Sequence, residues 1–390
     1  MRKLSKTLRV IGLATLVSGV FGAAPTYAKT FVYVSNAEDG NIDGYVMNMT
    51  NGALTSLGKT EAGNQVMPMA VSPNKQHLYA VIRSKPFTVV TYAIDPSSGS
   101  LTKKAAAPLP DSMPYVSTDV TGHYLFTSSY GGNKVAVSPI SETGLVESAA
   151  IQVIPTGEKA HSIRTDLTNK FVFATNLGSD QILQFRLNAQ TGQLTPNDPP
   201  LIKTPANNGP RHIILSSDNK YLYVSNELSG NIAQFALDAT NGTLTEIAYT
   251  SSLPADSGLL PGFTSQALAA KAVPGYKPTE DDNKPRVWAS DLQLTPNGKF
   301  IYALERTTSK ISLLSVAPGT GKLTYVTNFP TEKQPRGFRI DPTGNYLVAT
   351  GEKSDKLSVY KMNQTTGDLA LLDRYPVGSD ANWVEIVDLP

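Results

Sequence analysis

The sequence predicts an all-β protein: a seven-bladed β-propeller of four-stranded antiparallel blades, with the ring closed by the N- and C-terminal strands in one blade. Three observations predict it. A strand opening on an aromatic-rich triplet recurs seven times, at Phe31-Val-Tyr33, His77-Leu-Tyr79, Tyr124-Leu-Phe126, Phe171-Val-Phe173, Tyr221-Leu-Tyr223, Phe300-Ile-Tyr302 and Tyr346-Leu-Val348. Their third positions are 46, 47, 47, 50, 79 and 46 residues apart, so only one interval departs from the rest. Each copy runs on into a second alternating strand, such as Gln181 to Leu187 or Asn231 to Leu237, and then into a glycine turn. Short strands, four to a unit with a period in the forties, fit a propeller better than a sandwich, and helical solenoids lack this strand chemistry.

In chain order, the first segment reads as an export signal. Arg2, Lys3, Lys6 and Arg9 precede an apolar run, Val10 to Phe21, which ends before Thr26-Tyr27-Ala28. Cleavage after Ala28 is expected, giving residues 1–28 as signal peptide, 29–390 as the propeller, and a periplasmic protein not held by a membrane after cleavage. The run is short for a membrane span. Removing it takes four basic groups and no acidic ones, so the formal charge falls from +2 to 2 − 4 = −2. That balance gives no basic face for nucleic acid. The absence of cysteine excludes disulfides and a zinc-thiolate site.

The turn glycines Gly52, Gly99, Gly144, Gly192, Gly242, Gly321 and Gly367 supply the positive φ of tight hairpins, and a fourth strand follows each. The chain enters at Thr30 on what reads as a second strand. Its last segment, Asn382 to Asp388, reads as a first strand with no second after it, so the two ends complete one blade. The long interval contains an insertion, roughly 251–285, rich in Pro, Gly and Ala and carrying Glu280-Asp281-Asp282. A loop of that length suggests a lid over the mouth.

The chemistry concentrates where the repeat brings strand ends together. Arg211 opens one strand and Glu227 closes the next, so an antiparallel pair joined by the short turn at Ser216 to Lys220 sets both on one edge. Twelve places before the aligned third position stand Met67, Pro114, His161, Arg211, Ser290 and Arg336. Four places after it stand Ala37, Arg83, Tyr130, Leu177, Glu227, Arg306 and Glu352. Both rings belong at the top of the central channel. Arginines aimed at a shared mouth repel one another unless a carboxylate or an anion lies between them, so His161, Arg211, Glu227 and Arg306 read as a built site. Arg83, Tyr130, Asn176 and Arg336 are the candidates for holding substrate.

His212 follows Arg211, so strand alternation turns it to the opposite side, in a packing or supporting role. His77 and His123 lie near the bottom turns and read as structural. Trp288 and Trp383 flank first strands, as pocket walls or as core. No nucleophile-elbow, zincin or phosphate-loop motif is present, and neither metal nor cofactor is expected.

On these residues the chain resembles the seven-bladed lactonase family, which includes the propeller-type 6-phosphogluconolactonases and carboxymuconate lactonizing enzymes. The matching stretches are Gln65 to Pro73, Gly209-Pro-Arg-His212, Ser225-Asn-Glu-Leu228, Glu305-Arg-Thr307 and Gln334-Pro-Arg-Gly-Phe338. The resemblance implies a site of His161, Arg211, Glu227 and Arg306 acting on a small sugar lactone. Water would lose its proton to Glu227 or His161 while Arg211 and Arg306 stabilise the oxyanion, each such stabiliser contributing roughly 3–4 kcal/mol. The export signal ranks glucono-1,5-lactone above its 6-phosphate as substrate. The alternatives are a non-catalytic binding propeller and a muconate-type cycloisomerase.

Overall fold

A computed structural model describes residues 28–390, so the predicted signal peptide lies almost wholly outside the described residues. Seven four-stranded antiparallel sheets form the ring. In the first blade the C-terminal strand Ala381–Leu389 pairs with Lys29–Asn36, which continues to Asn41–Met47 and Leu54–Glu61. The ring is therefore closed by both ends of the chain, as the repeat phase predicts. Blades two to seven follow at 66–108, 115–155, 160–203, 210–251, 289–330 and 335–376.

The aligned aromatics owe their spacing to contacts between blades. Tyr33 donates its hydroxyl to the carbonyl of Gly99, Tyr79 to that of Gly144, Tyr223 to Gly321 and Tyr302 to Gly367, at 2.6–2.9 Å. Each acceptor is the turn glycine of the next blade. The glycines hold φ values between +64° and +80°, and they lie flat on the neighbouring ring. A Cβ at Gly242 would stand 2.0 Å from Phe171, and one at Gly52 would stand 2.6 Å from Tyr346, which carries the same joint across the closure. Glycine is required there for its conformation and for its lack of side chain. His77 fills the same seat beneath Gly144, consistent with a structural role, and His123 contacts Thr121 at its turn.

The innermost strands face one another around the axis, and six of the seven share a defect. Opposite the end of the second strand, the register slips by one at Val66/Met69, Ala160/Ser162, Pro210/Ile213, Ala289/Leu292 and Pro335/Phe338, and at Trp383/Ala381 in the closing blade. This is a β-bulge, one extra residue on the inner strand, and it re-aims side chains at the channel mouth. His161, Arg211, Ser290 and Arg336 all fall at that step. So does Asn382, which a count backward from an aligned aromatic cannot reach, because the closing strand comes last in the chain.

The insertion leaves after Thr243–Ser251 and carries a short helix, Ser265–Lys271, and a 3-10 turn, Glu280–Asn283. Its base is stapled by a bridge between Leu260 and Arg286, and Gly262 N–H donates to the carbonyl of Leu228, next to Glu227. It flanks the rim at that point.

Candidate active site at the channel mouth

Arg211 and Glu227 close the same hairpin, and their side chains meet across its open end. Arg211 Nε donates to Glu227 Oε2 at 2.9 Å. Arg306, from the next blade, donates Nη2 to the same oxygen at 2.8 Å. One carboxylate thus joins two guanidiniums, and the group is nearly closed to solvent, with Arg211 1%, Arg306 4% and Glu227 9% exposed. Blade seven repeats the motif: Arg336 Nη1 donates to Glu352 Oε1 at 3.1 Å. The cations and carboxylates therefore alternate around this arc of the mouth.

Burial pushes the Glu227 carboxyl up, but Arg306, Arg211 and Arg336 outweigh it and hold its pKa below the usual carboxylate range. Glu227 is ionised at neutral pH, and its charge is shared between two arginines. Burial and the neighbouring Arg306 lower Arg211, with Glu227 opposing. Arg306 also donates Nε to the carbonyl of Trp288, and its guanidinium lies 3.9 Å from the Trp288 ring centre. Trp288, 39% exposed, is therefore a wall of the mouth. Among the described residues neither Arg211 Nη2 nor Arg306 Nη1 makes a hydrogen bond within the protein.

His161 is buried beside this group. Burial first, then Arg211, His212 and Arg336, keep its imidazole well below the ordinary histidine pKa, so it is neutral. Its Nδ1 is buried and has no hydrogen-bond partner among the described residues. Tyr130 stands edge-on to it with ring centres 5.9 Å apart, under Lys159. Arg83 donates Nε to Ser112 Oγ at 3.0 Å and, among the described residues, has no carboxylate in salt-bridge contact; burial and Arg336 push it down to about 10.

Two expectations need correction. Asn176 does not offer itself to substrate: it is fully buried, and its amide donates to Thr156 Oγ1 at 2.9 Å and to the Gly157 carbonyl at 2.6 Å. It clamps the loop that leads from blade three into its own blade, as a strand-ending amide three residues past the aligned position. His212 does not face away from Arg211. The bulge adds a residue, alternation breaks, and His212 turns into the channel among Tyr115, His161 and Trp383, with ring centres 5.1, 5.2 and 5.9 Å away. Trp383 is thus channel packing. Asp291, which the sequence reading missed, occupies the corresponding bulge of blade six and meets His212. Below them the channel holds a cavity of about 170 Å³ lined by Arg164, Gln293, Arg339 and Glu385 among others.

The histidines make stability pH-dependent. Burial and then Arg211 push His212 down to about 4, against the hydrogen bond it donates to Asp291, and His161 lies well below 6.5. Between pH 6.5 and the folded-state values, the unfolded chain binds protons that the folded chain does not. Stability therefore falls as pH falls through that window. Thermal unfolding from pH 7 to 5 should show a declining Tm, with a shallower slope in His212→Gln; a flat Tm in the parent protein would contradict the buried neutral assignment.

A neutral imidazole, an ionised carboxylate and two guanidiniums are thus gathered at the axis of a seven-bladed propeller. The chain belongs to the family described as Lactonase, 7-bladed beta-propeller, whose profile matches residues 26–386. It is 37% identical over 360 residues to a 6-phosphogluconolactonase of Serratia proteamaculans, covering 92% of this chain and 99% of that protein. The 6-phosphogluconolactonase of Pectobacterium carotovorum is likewise 37% identical over 358 residues, covering 92% and 98%. Among solved structures, the periplasmic gluconolactonase of Pseudomonas aeruginosa has the same fold, with a TM-score of 0.79 at 24% identity and 93% and 100% of the two chains covered.

Proposed function

We propose that this chain opens a sugar lactone to its aldonate at the channel mouth. The observation that carries the reading is a pair of guanidinium nitrogens, Arg211 Nη2 and Arg306 Nη1, that have no hydrogen-bond partner among the described residues and are fixed by a shared carboxylate beside a neutral histidine. Water adds to the lactone carbonyl carbon as His161 takes its proton, and the oxyanion is held by the two guanidiniums. Collapse breaks the acyl–oxygen bond, the ring oxygen regains the proton from His161, and the acid product ionises to solvent. His161 suits the base better than Glu227, whose Oε2 is engaged by both arginines. Glu227 instead aligns them.

The substrate we rank first is glucono-1,5-lactone, because the N-terminal segment has the pattern of an export signal and phosphorylated sugars are scarce outside the cytoplasm. Periplasmic residence is part of this proposal, and cell fractionation with mapping of the mature N-terminus tests it. A second reading, 6-phosphogluconolactone, is favoured by the names of the 37% identical relatives and by Arg83, a mouth guanidinium with no carboxylate partner. A pH-stat panel of lactones with and without phosphate separates them. We expect glucono-1,5-lactone to open faster than its spontaneous rate. Acceleration confined to the phosphorylated lactone would reverse the order, and no acceleration of either would end the reading.

A further inference from the structure

We infer that His212 and Asp291 form a positioning pair that aims Arg211, an inference that rests on the reaction proposed above. His212 Nε2 lies 3.2 Å from Arg211 Nη1, and its Nδ1 lies 2.8 Å from Asp291 Oδ1. A guanidinium has five N–H donors and no acceptor, so His212 Nε2 accepts from it. The ring proton therefore sits on Nδ1 and is donated to Asp291, the less populated tautomer of a free imidazole side chain. A carboxylate on one ring nitrogen and a fixed donor on the other determine it.

The fold builds the pair deliberately. Arg211-His212 and Ser290-Asp291 are the bulge residues of adjacent blades, so the same added residue brings both partners to the axis. Tyr115, His161 and Trp383 surround the imidazole at ring-centre separations below 6 Å and restrict its rotation. Arg211 is thereby held at two atoms, Nε by Glu227 and Nη1 by His212, and Nη2 keeps one direction. An uncharged acceptor orients the guanidinium without neutralising it, which a second carboxylate in that place would do. The positive charge remains available to an oxyanion.

The kinetics of four variants and one NMR experiment test the pair together. Losing the acceptor in His212→Leu should lower kcat by roughly 10- to 100-fold with little change in KM, since a reacting group displaced by about an ångström costs on that order. His212→Gln, whose amide oxygen can reach the Nε2 position, should recover most of that loss. Asp291→Leu should reproduce the His212→Leu defect, and the double variant should be no worse than either single one, as for residues acting as a unit. The tautomer has its own readout: ¹⁵N NMR of histidine-labelled parent protein at pH 7 should show a ring with protonated Nδ1 and free Nε2, absent from His212→Gln. A His212 ring protonated on Nε2, a Gln variant as impaired as Leu, or additive losses would overturn the pair. A parent protein that opens no lactone would defeat the proposed reaction and leave the NMR result to decide the pair.

Discussion

Glu227→Gln is expected to be the most damaging single change at the mouth, in stability and in turnover alike. The carboxylate is the direct hydrogen-bonded partner of two buried guanidiniums, at 2.9 and 2.8 Å. Removing its charge leaves Arg211 and Arg306 facing one another with little solvent to screen them. Breaking a buried ion pair by deleting one partner typically costs about 3–5 kcal/mol. The guanidiniums then part, and turnover should fall by roughly 100-fold or more, as expected when oriented groups lose their alignment. Urea denaturation measures the first effect. Lactone turnover well below the unfolding temperature measures the second. A variant as stable and as active as its parent would mean that the carboxylate neither holds the arginines nor serves the reaction.

Arg306→Ala comes next, and its signature differs. Glu227 keeps Arg211 as a partner, so the structural loss is smaller, but one of the two proposed oxyanion donors is gone. Loss of such a donor lowers kcat by about 10²- to 10³-fold. KM should move less, because the developing charge and not the ground-state carbonyl is what the guanidinium serves. Lysine should not substitute: Arg306 spans Glu227, two backbone carbonyls and the face of Trp288 at once, which a single ammonium cannot do. Kinetics on glucono-1,5-lactone and its 6-phosphate read the effect directly. Unaltered kcat on both would remove Arg306 from the chemistry.

Most of the fold is written in the sequence because neighbouring blades are joined by the same small device. A tyrosine or phenylalanine on one blade must lie under a turn glycine on the next, as Phe171 does under Gly242, so aromatics and glycines recur in step. The Arg211–Glu227 contact was legible for a similar reason: a hairpin of known length has only one way to set its ends. The phase of the termini likewise placed Asn382 to Asp388 beside Thr30. What escaped was parity. A bulge adds a residue without any compositional mark, so strand alternation sent His212 away from Arg211 when it lies in contact with it, and left Asp291 unnoticed. Asn176 misled in the opposite direction. It stood among the candidates for holding substrate, whereas its amide is needed by the Thr156 and Gly157 loop. Sequence spacing locates a backbone position well, but it does not say which neighbour will claim a side chain there.

The pairing of Lys29 with Leu389 has a practical consequence. Both ends of the propeller emerge side by side on the face of the disc remote from Arg211 and Arg306, because the ladder they share runs from the mouth at Asn36 and Ala381 down to that face. Coupling to a bead, a carrier domain or an electrode through either end would leave the opening pointing outward, free to receive substrate.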